Sequence, residues 1–167
     1  GILIAVNKQL SCSLVNVPCK LEILWFVCRA VPETILLGVC YRPPDNDSSF
    51  AQDLDDILNQ LTTKYPTAHI LFFGDFNLPD IDWQDTNRLI TGHSRTKEFI
   101  NVCLNFNLTQ LITKPTRIAG ETSNILDLIP TTKPESLSHI TLLPEITDHK
   151  VIYAVFEFVP KLRKPCS

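Results

Sequence analysis

A layered α/β sandwich is the fold this sequence predicts, and three observations carry that expectation. Apolar, β-rich runs recur along most of the chain, while only two segments place their apolar residues at helical spacing. One run, His69 to Phe73, is apolar without alternation, the pattern of a strand covered on both faces of its sheet. Strands with two helices among them favour packed layers over a barrel of alternating units. The 167 residues suit one domain, and 44% hydrophobic with 20% charged residues argues against wholesale disorder.

The elements follow in order. Ile2 to Val6, Leu21 to Cys28 and Thr34 to Tyr41 predict three strands, with Pro18 and Pro32 as breakers. Tyr41-Arg42-Pro43-Pro44 ends the third, and Asp45 to Ser48 is loop. Ser48 or Ser49 caps a helix that runs to about Tyr65, where Pro66 stops it. Phe50, Leu54, Ile57, Leu58 and Leu61 share one face of that helix, and Asp53, Asp55 and Asp56 lie near its N-terminus, where the dipole favours anions. After the strand His69–Phe73, Gly74-Asp75 predicts a turn and then a polar loop to about Gly92. A second helix covers Ser94 to Asn105, with Phe99, Val102, Cys103 and Phe106 on one face. Leu108 to Ile112, Ile125 to Ile129, Ile140 to Leu143 and Val151 to Phe158 complete the strands. The domain is expected to span 1–159, with 160–167 a basic tail or linker.

A net charge of −3 does not advertise nucleic-acid binding, although a local basic loop can supply phosphate contacts. The six cysteines form no C-x-x-C pair. Cys12, Cys28, Cys40 and Cys103 sit in apolar surroundings, where free thiols act as small hydrophobes, and a reducing compartment is expected. No apolar run is long enough to span a membrane, and no signal peptide opens the chain. An intracellular, non-secreted protein is expected. The opening Gly1-Ile2-Leu3-Ile4, without Met, reads as a chain whose true beginning is missing.

The chemistry concentrates at two places. Gly74-Asp75-Phe76-Asn77 closes an apolar run with a carboxylate and a carboxamide two residues apart, and Asp148-His149 precedes another strand. Asp75 can orient or deprotonate a water, and Asn77 can donate to a phosphate oxygen from the same side if the backbone stays extended. Asp127 is a carboxylate inside an apolar strand, costly without a partner, and His149 needs a carboxylate to fix its tautomer. Pairing the two satisfies both and leaves Asp148 free to help hold a divalent cation. Together these groups suit metal-assisted attack on a phosphodiester. Each piece alone has a plainer reading: Gly-Asp as a turn, His149 as a satisfied core residue, Tyr41 and Arg42 as a core aromatic and a surface base. Asp80 and Asp82 read as loop structure, and Trp83 as the anchor of that loop.

In their order, Tyr41-Arg42-Pro43-Pro44, Gly74-Asp75-Phe76-Asn77-Leu78-Pro79-Asp80-Ile81-Asp82-Trp83, Ser123-Asn124-Ile125-Leu126-Asp127-Leu128 and Thr147-Asp148-His149 resemble the endonuclease/exonuclease/phosphatase superfamily. The group they most resemble is the apurinic-type endonuclease domain of non-LTR (LINE-like) retrotransposons. The resemblance implies a four-layer α/β sandwich with two central, mostly antiparallel sheets, and Mg²⁺- or Mn²⁺-dependent cleavage of DNA. It implies that Asp75 activates water, Asn77 contacts phosphate, Asp127 and His149 form the Asp-His pair, Asp148 is an acidic residue near the metal, and Tyr41 matches the tyrosine at its strand end. In such elements the domain nicks target DNA to leave a 3′-hydroxyl that primes a reverse transcriptase domain on the same chain. Thr147 stands where the family usually has Ser; both keep a hydroxyl.

Arg42, Lys114, Arg117 and Lys133 lie in or beside loops and are expected either to form a basic rim around the site or to be solvated loop surface. Arg42, Lys114, Arg117 and Asn124 are the expected DNA contacts. The family also carries an Asn on a first strand and a metal-binding Glu upstream of the strand that Ile2 to Val6 resembles, and this sequence starts after both. Weakened metal binding and impaired cleavage are therefore expected of this chain alone. Two other readings stand beside the endonuclease: a phosphoester phosphatase of the same superfamily, and a non-catalytic DNA- or protein-binding remnant.

Overall fold

The computed structural model describes residues 2–7, 10–30, 32–44, 49–83 and 94–158. The expected loops at 45–48 and 84–92 and the basic tail lie outside the described residues. Strands β1 (Ser11–Val15), β2 (Glu22–Ala30) and β3 (Glu33–Tyr41) form an antiparallel meander. Helix α1 (Phe50–Lys64) then crosses over to β4 (His69–Asp75), which pairs parallel to β3. A parallel pair needs such a crossover, since a hairpin joins only antiparallel strands. Ser49 takes the N-cap position, but its hydroxyl donates to Asp53 rather than accepting a backbone N–H.

Helix α2 (Ser94–Asn105) matches its expected bounds. Short strands follow: β5 (Thr109–Gln110), β6 (Arg117–Ala119), β7 (Thr122–Asn124), β8 (Asp127–Leu128) and β9 (Pro130–Thr131). They add to the large sheet in the order β1-β2-β3-β4-β9-β5, with β8 also on β4, while β6 and β7 form a separate hairpin. Finally β10 (Leu137–Glu145) and β11 (Lys150–Phe156) make a second antiparallel sheet. No described helix is long and apolar enough to cross a membrane.

The large sheet is covered on both faces, as the apolar run of β4 requires. Leu36, Cys40, Ile70 and Phe72 point to the side of Leu54, Leu58, Phe99 and Val102 from the two helices. Ile35, Leu37, Leu71 and Phe73 point the other way, onto Ile140, Ile152, Ala154 and Phe156 of the second sheet. The edge-to-face rings of Phe73 and Phe156, 6.2 Å apart, join the two sheets. The α/β sandwich with two mostly antiparallel sheets is thus borne out, and of its four expected layers the described residues form three: helices, large sheet and second sheet.

Three expectations need correction. Ile2 to Val6 forms no strand: it has no ladder partner among the described residues, and Leu3 lies fully in solvent. Gly74-Asp75 is the end of β4, not a turn, because Gly74 adopts φ +153° and keeps the pairing with β3 and β8. Cys12 and Cys28 are not free thiols: they face each other across β1 and β2, Cα atoms 4.1 Å apart, and form a disulfide. Cys40 and Cys103 are free and buried as expected, and burial pushes both thiols up to about 12.

Candidate active site

The register of three adjacent strands brings the polar residues together. Tyr41 closes β3 opposite Asp75 of β4, and Asp75 lies opposite Asp127 of β8. Partners in register share a face, and in β3 and β4 this is the face of Leu37 and Phe73, toward the second sheet. His149 enters from the turn between β10 and β11, and its Nδ1–H donates to Asp127 Oδ2 at 2.8 Å. The expected Asp-His pair therefore forms, each partner partly buried. With Nδ1 committed, Nε2 is the imidazole nitrogen left to meet a substrate.

Asp75 is the electrostatically perturbed member. Partial burial and the neighbouring Asp127 carboxylate hold its pKa above the usual carboxylate value, with the Asn77 N–H and His149 offsetting part of the shift. Asn77 does not share its face through extended backbone, as expected from spacing. It sits in the left-handed region at φ +46°, its N–H donates to Asp75 Oδ1 at 3.1 Å, and its carboxamide donates to the Arg42 carbonyl at 2.8 Å. Asp75, Asp127 and His149 each offer a ligand atom within 4.8 Å of one another. That donor set of two carboxylates and an imidazole, with one carboxylate raised by the other, gains from a bound cation.

Three cations depart from the expected basic rim. Arg42 is buried, 3% exposed, and its guanidinium donates to the carbonyls of Phe76 and Asn77 while lying over the Phe50 ring. It fixes the loop after Asp75 from a buried position. Arg117 donates to Asp148 Oδ2 at 2.6 Å, so the expected DNA contact and the expected metal ligand neutralise each other. This bond holds the Asp148 carboxyl below its usual value, and Asp148 stands apart from the three-residue cluster. Lys133 pairs with Glu33, which begins β3 at the end opposite Tyr41. Lys114 is exposed and forms no ion pair among the described residues. Asn124 is partly buried, opposite Arg117 in the β6–β7 hairpin. Trp83 anchors its loop against Phe99, ring centroids 6.5 Å apart.

One residue that sequence reasoning missed holds the Asp-His pair in place. The fully buried Thr116 hydroxyl accepts the N–H groups of Leu126 and Asp127 at 3.1 and 3.0 Å, and its carbonyl accepts the N–H of Lys150 at 2.7 Å. Asp127 and the residue that follows His149 are thus tied to one side chain and its peptide. A threonine after Pro115 carries no local sign of this; an unexplained hydroxyl between two site motifs is the available signal. Thr116→Val should destabilise the fold by about 1–3 kcal/mol through the two orphaned N–H groups, and Thr116→Ser by less, as read by urea unfolding.

A family model described as endonuclease-reverse transcriptase matches residues 35–153. No curated protein matches the sequence. Among solved structures, the chain resembles the endonuclease domain of TRAS1, a telomere-specific non-LTR retrotransposon, with TM-score 0.68 and 17% identity over 95% of this chain and 72% of that one. It also resembles the 3′ phosphatase NExo from Neisseria bound to product DNA hairpin, with TM-score 0.56 and 14% identity over 92% of this chain and 72% of the other. The human Nocturnin catalytic domain aligns with TM-score 0.55 and 15% identity, covering 91% of this chain and 62% of its own. At these identities the likeness is one of fold.

Proposed function

Since the chain belongs to the endonuclease–reverse transcriptase family, we propose that its site cleaves phosphodiesters of DNA, nicking a strand to leave a 3′-hydroxyl that can prime reverse transcription. The observation that carries this reading is the 2.8 Å bond between His149 and Asp127, with Asp75 beside Asp127 in register. Asp75, beside Asp127 in register, orients a water and takes its proton. Attack at phosphorus breaks the P–O3′ bond. His149, polarised by Asp127, donates a proton to the departing oxygen or stabilises charge on the phosphate. Asn77, held by its bonds to Asp75 and Arg42, sets the loop beside that position.

Mg²⁺ or Mn²⁺ would be held by the carboxylates of Asp75 and Asp127, since both ions favour hard oxygen donors. When bound, such an ion supplies positive charge to the phosphate. Asp148, paired to Arg117, is not assigned to it.

The reading is tested by converting supercoiled plasmid to nicked circle with Mg²⁺. Nicking that falls at least about 10²-fold in both Asp75→Ala and His149→Ala supports it. Equal nicking by both variants would show that the activity lies elsewhere. The likeness to a 3′ phosphatase gives a second reading, release of phosphate from a 3′-phosphorylated oligonucleotide, which assaying the unmutated chain on that substrate beside plasmid separates from nicking.

A further inference from the structure

The expected basic rim reduces to Lys114, and the fold places a second cation beside it. Lys114 and Lys150 line one groove of about 400 Å³ between the segment after β5 and the second sheet. Thr113 and Thr141 share the lining, and Ile112 and Leu142 contribute apolar surface. Neither ammonium forms an ion pair among the described residues, although Glu145 lies opposite Lys150 in the β10–β11 register. Every other site cation already has a partner: Arg42 the loop carbonyls, Arg117 Asp148, Lys133 Glu33. Lys150 is half-buried beside apolar surface, where its charge gains most from an anion brought to it.

We propose that this groove is an anion subsite for a phosphate of the nucleic-acid strand next to the bond addressed by Asp127 and His149. The inference rests on the DNA reading of that site. Backbone placement supports it: the Lys150 N–H is bound by the carbonyl of Thr116, whose hydroxyl also holds the Asp127 N–H. Lys114 lies two residues before Thr116, so both lysines leave the two segments that hold the Asp-His pair. Lysine binds phosphate as a point charge, a contact that positions a strand without reading its sequence.

The test uses the full chain with Lys114→Gln, Lys150→Gln and the double variant. Affinity for a short DNA duplex is measured against salt concentration, and inorganic phosphate is titrated with amide NMR readout. The expected result is a log–log salt slope shallower by about one per lysine removed. Shifts at Thr113, Lys114, Thr141 and Lys150 should accompany added phosphate, and Arg replacements should restore the slope. An unchanged slope in the double variant overturns the subsite even if wild-type plasmid is nicked. A reduced slope without nicking upholds the subsite and removes the cleavage reading instead. Phosphate shifts in the groove without DNA affinity would overturn the strand assignment in favour of a free phosphate or phosphomonoester.

Discussion

Asp75→Asn is expected to raise the unfolding midpoint of the metal-free chain at neutral pH while lowering cleavage by about 10²–10⁴-fold. The two effects have one cause. Asp75 is partly withdrawn from water and faces Asp127 across the strand pair, so its ionised form is penalised in the folded state. A folded pKa above the unfolded value means that the native chain binds more protons between those two values. Stability from this group therefore falls as pH rises through that window, and the penalty is complete above the folded pKa. Asparagine has no charge to penalise, and its carbonyl oxygen can still accept the Asn77 N–H that Asp75 Oδ1 accepts.

Thermal unfolding of wild type and variant across pH checks the sign. The wild type should lose stability with rising pH through the window, and the variant should show a flatter profile with the larger gain on the alkaline side. Added Mg²⁺ or Mn²⁺ should narrow the difference by stabilising the wild type more than the variant, because only the native carboxylate pair offers two charged donors. A variant less stable than wild type at neutral pH would show that Asp75 is held by its hydrogen bonds more strongly than it is disfavoured by Asp127.

The sequence makes this site partly legible, and the division has physical reasons. Asp127 stands out because a carboxylate in an apolar strand demands a partner, and His149 is a residue type that demands a carboxylate; their pairing follows from mutual need. The two helices are legible from one-sided apolar spacing and from Pro66. What local pattern cannot give is partnership at long range. Arg42 looks like a surface base at a strand end, yet it is buried, and its guanidinium donates to carbonyls 34 and 35 residues away. Arg117 and Asp148, each sensible alone, cancel across 31 residues. The Cys12–Cys28 disulfide depends on a register that neither strand specifies alone. Thr116 is silent because its function lies in accepting two N–H groups from a strand ten residues on.

Gly74→Ala should be the most damaging small substitution near the site, costing at least about 3 kcal/mol and displacing Asp75. A Cβ at Gly74 would lie 2.0 Å from the Cys40 carbonyl oxygen, a backbone atom within the β3–β4 ladder, so no side-chain rotation relieves it. Its φ of +153° adds strain for any L side chain. Gly38 is a useful contrast: a Cβ there would meet the rings of Trp25 and Phe72 at 2.6 and 2.7 Å. Those rings stack 5.1 Å apart and are fully buried, so the core must repack around them, a freedom that side chains have and a ladder carbonyl lacks; Gly38→Ala should cost about 1–3 kcal/mol. Gly74 has no such freedom, and its strain falls on the residue before the candidate base. Urea unfolding should rank Gly74→Ala below Gly38→Ala in stability. Under conditions where both variants remain folded, nicking should be lost in the first and largely kept in the second. Equal nicking by folded Gly74→Ala would show that the position of Asp75 in β4 does not depend on the tight approach of Gly74 to Cys40.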